Sequence, residues 1–184
     1  MAFSQKISTL LIALVWCLSP AMGQVDTDNH DLSVTIPQVV IMDIEPSNSS
    51  IQLTLGPPVE AGNSMQLPTN TTKWINYTCA LSPSATNKII RAQITSGALP
   101  PGVSLQLQAG AYTGGGAGTT GSTVGLITLS ASPQSIITGI GRSFTGNGSG
   151  QGHQLTYSLD IVNQSLLNFD TNGASVTVTF TISD

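Results

Sequence analysis

Charge, cysteine and helical periodicity are what this 184-residue sequence has least of. Its formal charge comes from five basic and nine acidic residues. Scattered cations such as Lys73, Lys88, Arg91 and Arg142 build no basic stripe, which argues against nucleic acid as a partner and against electrostatic attraction to an anionic membrane. The two cysteines are Cys17 and Cys79. No window holds an apolar stripe at i, i+3, i+4 and i+7, and Gly or Pro interrupts most stretches before three helical turns could form. With helices excluded, the surface has to be Ser, Thr, Asn, Gln and Gly, carried on strands.

The first 23 residues have the pattern of a cleaved secretory signal. Lys6 supplies the positive start, Leu10 to Leu18 the apolar stretch, and Ala21-Met22-Gly23 the small-x-small cleavage site. Pro20 interrupts the run, which is shorter than the ~20 residues needed to span a bilayer. Bulky Trp16 before Cys17 argues against a lipoprotein signal. Residues 24–184 are then expected to form a single secreted domain, with no membrane insertion after cleavage. Four basic residues against nine acidic ones would leave it a net charge of −5. Cys79 alone would remain, so an internal disulfide is excluded and stability must come from packing and sheet hydrogen bonds. In the alternation Ile75, Tyr77, Cys79, Leu81 the thiol falls on an apolar face, which predicts a buried, inert group.

Strand signals are frequent. The predicted strands are Leu32 to Ile44, Ile51 to Leu55, Lys73 to Leu81, Lys88 to Thr95, Val103 to Ala109, Val124 to Ala131, Gln154 to Val162 and Ser175 to Ile182. About eight strands joined by turn-rich segments point to an all-β, two-sheet antiparallel sandwich of Ig-like or jelly-roll type. Pro37 demotes the first run to an edge strand or divides it in two. Gly110 to Gly121 and Gly139 to Gly152 read as long loops. In the final strand Val176, Val178, Phe180 and Ile182 alternate with hydroxyl residues to the last residues of the sequence, which predicts a half-buried strand with no anchor or tail after it.

Catalytic patterns fail on inspection. Gly116-Ala117-Gly118-Thr119-Thr120-Gly121 matches a dinucleotide fingerprint in letters, but no helix follows to hold a pyrophosphate. Gly146 to Gly150 lacks the lysine of a P-loop. Asp26 to Asp31 starts like a calcium loop but has Asp31 and Pro37 where that loop needs Gly and Glu. His30 and His153 are too few for a metal site. A relay of Ser149, His153 and Asp160 has no supporting spacing, and His153 reads as a polar loop residue. The expectation is no enzyme, no metal and no cofactor. Five Asn-x-Ser/Thr sequons, at Asn48, Asn70, Asn76, Asn147 and Asn163, indicate polar surface. Trp74, opposite in phase to Ile75 and Tyr77, and Tyr112, in a glycine-rich stretch, are candidate contacts for a ligand such as a glycan.

An export signal, a low-charge domain of this size, abundant Ser, Thr and Gly, and a C-terminal alternating strand together resemble secreted bacterial fimbrial subunits and related surface β-sandwiches. In chaperone–usher pilins the last strand borders a groove that a neighbour's N-terminal extension fills. This chain has one mature cysteine and penultimate Ser183 where the best-known pilins have a disulfide and a penultimate aromatic. The resemblance implies a groove strand at Val176, Val178, Phe180 and Ile182, and a donor segment including Val34, Ile36, Val39 and Ile41. The expected function is then a non-enzymatic structural or adhesive subunit of an extracellular fibre or coat, partnered by its own copies or other surface subunits. The alternative is a secreted monomeric module that binds carbohydrate.

Overall fold

The computed structural model describes residues 26–168 and 173–184. The signal segment therefore lies outside the described residues. Residues 26–35 belong to a unit separate from the β-domain Ile36–Asp184 and have no regular secondary structure.

The β-domain is all-β. Its strands are β1 (Val39–Glu45), β2 (Thr69–Ala80), β3 (Lys88–Gly97), β4 (Val103–Tyr112), β5 (Ala117–Thr123), β6 (Leu126–Thr128), β7 (Gln134–Phe144), β8 (His153–Ile161) and β9 (Val176–Ser183). Among the described residues a single 3-10 turn, Gln164–Leu166, is capped by the Asn163 side chain. All pairings are antiparallel, along the path β6-β4-β8-β2-β7-β3-β9, with β1 added to β2 and β5 to β7. Between β2 and β7 the ladder is only two residues long, Thr78 with Phe144 and Cys79 with Ser143. The hydrogen-bonded network folds over at this seam. Ile75, Tyr77, Leu105, Leu107 and Leu155 on one side then share a buried core with Ile90, Ala92, Ile137 and Ile140 on the other. This is the sandwich expected from the alternating strands, since each apolar face needs a cover and the other half supplies it.

Three segments differ from the sequence reading. Ile51 to Leu55 packs apolar side chains on the core, but its backbone joins no ladder. Only an isolated bridge, Gly56 to Gln66, follows it. Conversely, β5 and β7 arise where glycine-rich loops were expected. In β7, Gly139 has φ +73°, a left-handed conformation that shifts the inward phase. Ile137 and Ile140, three apart, are consequently both fully buried. Gly118 of β5 lies against the same strand, and a Cβ there would sit 2.1 Å from the Arg142 carbonyl oxygen. These glycines permit close strand contact, although their composition resembles that of a loop.

Cys79 is buried, as its phase predicts, and burial raises its thiol pKa. Pro37 does divide the first apolar run. Residues 32–38 carry no ladder and β1 begins at Val39.

If β7 is a core strand, Ile140→Ala should lower stability by about 2–5 kcal/mol in urea titrations. Val124→Ala, at a side chain 54% exposed, should stay within about 0.5 kcal/mol of the parent.

Candidate functional site

β9 has one ladder partner among the described residues. Ile182 stands opposite Ile90, Phe180 opposite Ala92 and Val178 opposite Ile94. Its end is fastened to β3. Lys88 pairs with the Asp184 carboxylate, which also accepts from Thr86 Oγ1, while the Arg91 guanidinium donates to Ser183 Oγ. The adjacent ammonium and hydroxyl hold the Asp184 carboxyl below its usual pKa.

Burial fades across this pair of strands. Ile90 and Ala92 are fully buried, yet Val176, Val178, Phe180 and Ile182 are only half-buried. β1 repeats the pattern on the other sheet half. Val40, Met42 and Ile44 oppose Cys79, Tyr77 and Ile75, which are buried, but they remain half-buried themselves. β1 and β9 approach one another, and each has a single ladder partner among the described residues. Two under-covered apolar margins thus lie side by side, each with one backbone edge free for pairing.

The proposed donor residues divide between two environments. Val39 and Ile41 belong to β1, where they pair with Ala80 and Thr78 of their own chain. Val34 and Ile36 lie in the segment before Pro37. With Leu32 they form an alternating row, exposed at 81% (Leu32), 77% (Val34) and 81% (Ile36).

The two candidate ligand aromatics do not share a site. Trp74 lies on the outer face of β2, between Glu45 of β1 and Gln154 of β8 in the cross-strand register. Tyr112 turns back into the domain. Its hydroxyl donates to the Thr145 carbonyl and accepts from Gly116 N–H. Its ring lies tilted against His153, with centroids 5.8 Å apart. Neither residue type nor position in a glycine-rich stretch distinguishes these environments, and only strand pairing separates them.

His153 also differs from the sequence reading. It opens β8 and is 1% exposed. One ring nitrogen, Nδ1, lies 2.9 Å from the Gly110 carbonyl oxygen and the other, Nε2, lies 2.9 Å from Tyr77 Oη. Tyr77 Oη in turn donates to the Thr120 carbonyl. The group ties β2, β4, β5 and β8 together and leaves no ring nitrogen for Ser149 or Asp160. The flanking glycines suggest a loop, but Gly152, at φ +75°, instead brings the chain against Ile75. Among the described residues no group of three or more His, Cys, Asp or Glu could hold a metal ion. No helix there is long and apolar enough to cross a membrane.

Asn76 is the one sequon asparagine buried in a strand. At 5% exposure, its amide donates to Gly148 O at 2.9 Å, so this sequon is no accessible acceptor.

Neither protein-family models nor curated proteins show a match to this chain.

Burial lowers the His153 pKa, with the carbonyls of Gly110 and Thr120 opposing the shift. The unfolded chain therefore takes up the proton first. This contribution to stability is complete above the unfolded value of ~6.5 and is lost as pH falls from there toward the lower folded value. Urea midpoints measured between pH 7.5 and 5 should fall with acidification. In His153→Gln, a less stable protein, that part of the slope should be missing.

Proposed function

We propose that this chain is a non-enzymatic extracellular structural or adhesive subunit, built into a fibre or surface coat by β-strand addition between copies. The observation that carries the reading is a complementarity within one sequence. A half-buried groove margin at Val176, Val178, Phe180 and Ile182 is matched by an alternating row, Leu32, Val34 and Ile36, that is almost fully exposed. Covering each exposed aliphatic side chain is worth roughly 1.5–3 kcal/mol, and a strand laid along β9 would also satisfy its free backbone groups.

Val39 and Ile41 are already engaged with β2, so the donor is confined to the segment before Pro37. Proline has no N–H to donate to a ladder and separates the donor from β1. A donor on one copy and an acceptor on the next make a head-to-tail contact, and repeating it gives an open filament. The low charge limits repulsion between stacked copies. Export through the N-terminal segment would place the assembly outside the cytoplasm, and no catalytic step is assigned to it.

Light scattering and electron microscopy of the mature chain test this reading. Oligomers or filaments that grow with concentration are expected. A Val34→Asp, Ile36→Asp double variant should remain folded by circular dichroism and lose at least tenfold in assembly. A monomer of unchanging mass at every concentration, or filaments that persist in the double variant, would overturn the reading.

A further inference from the structure

A second feature lies on the outer face of the domain, away from the inward row of β9. An open cavity of about 290 Å³ crosses β2 there. Asn76 and Thr78 form its floor. Ile41 and Asp43 of β1 stand on one side, and Phe144 with Asn147 on the other. Strand register explains the arrangement, since Ile41, Thr78 and Phe144 occupy one cross-strand row and Asp43 with Asn76 the next. The wall carrying Asn147 is held in place by the hydrogen bond from Asn76 Nδ2 to Gly148 O.

The lining has a definite chemistry. Ile41 and Phe144 are exposed at 61% and 49%, which leaves an aliphatic and an aromatic surface uncovered. Asp43 Oδ1 accepts the Ile44 N–H, and the residue is exposed. Asn76 Oδ1 is buried toward Gly152 and faces no ligand, so the acceptors open to the cleft are those of Asp43, Thr78 and Asn147. Asp43 is the only charged residue of the lining. Among the described residues the cations lie elsewhere and are occupied, with Lys73 on Ser47 O, Lys88 on Asp184, Arg91 on Ser183 and Arg142 on Leu81 O. Such a site repels anions. It suits a small neutral ligand with one apolar face and several hydroxyl donors, and its volume is at the low end of ligand pockets, roughly 300–1,000 Å³.

We propose that this cleft binds one ring of a neutral saccharide. The C–H face of the ring rests on Phe144 and Ile41, and its hydroxyls bond Asp43 and Asn147. Trp74 lies two residues from Asn76 on the same face of β2, roughly 7 Å along the strand. Glu45 and Gln154 flank it. A second ring linked to the first reaches this platform, so a disaccharide binds more tightly than a monosaccharide. The site uses none of the residues of the strand-addition reading and stands without it.

The test is titration of the mature chain with methyl glycosides of glucose, galactose, mannose and N-acetylglucosamine, and with neutral disaccharides of each. Tryptophan fluorescence and amide NMR report binding. At least one neutral sugar should shift the Asn76 and Asn147 side-chain amides. Phe144→Ala and Asp43→Asn should each weaken binding at least tenfold with the urea midpoint unchanged, because both side chains are exposed. Trp74→Ala should weaken the disaccharide at least fivefold and leave the methyl glycoside unaffected. No shift with any of these sugars, binding indifferent to both cleft substitutions, or preference for sialyllactose or heparin would each overturn the proposal. Filament formation by Phe144→Ala should be normal, so failure here and failure of the assembly reading remain distinguishable.

Discussion

Packing of the inward rows of β2, β4 and β8 against those of β3 and β7 is the interaction on which the other features rest. Among the described residues Cys79 is a free, buried thiol, so within them Ile75, Leu107 and Leu155 are held against Ile90, Ile137 and Ile140 by burial and strand pairing. Near Gly139 the chain changes its inward phase, and at Gly118 another strand comes into close contact. Both adjustments bring β7 into the middle of the core. The hydroxyls and amides of the surface follow from the same arrangement, since a sandwich with few charges has to be solvated by neutral polar groups.

Several polar side chains, His153 and Thr145 the most deeply buried, interrupt this apolar interior. His153 and Tyr77 link carbonyls on two other strands, and burial pushes the Tyr77 hydroxyl pKa upward as it lowers that of the imidazole. A neutral ring in such a position is a structural tie with a pH limit. Acid weakens the fold there because the unfolded chain binds the proton more readily than the folded one.

The core is not equally covered on all sides. At β1 and β9 the same rows that are sealed on β2 and β3 become half-exposed. This uneven cover is the physical basis of the strand-addition proposal, in which the exposed row at Leu32, Val34 and Ile36 is the donor. The outer face adds a different capacity. There the Asn76 side chain fixes a turn beside Phe144 and builds a cleft whose chemistry favours neutral hydroxylated ligands. Assembly along the β9 margin and ligand contact on the outer face of β2 would then use different surfaces.

Period-two alternation made most strands legible, including the complete inward set of β9, and the proline at position 37 marked where the first run divides. Those features are local, and two residues of sequence suffice to express them. Glycine-rich composition hid β5 and β7, because a glycine that admits a neighbouring strand cannot be told from one that forms a flexible loop. It also hid His153, whose burial depends on Gly110, Thr120 and Tyr77, all more than thirty residues away. The sequence by itself determined the fold class and the side chains each strand offers to a core. Tertiary structure alone decided which margins stay uncovered, that Tyr112 turns inward while Trp74 stands beside Glu45 and Gln154, and that Asp43, Asn76 and Phe144 share one cleft. Those outcomes depend on pairing between distant strands, a non-local property that no stretch of sequence carries.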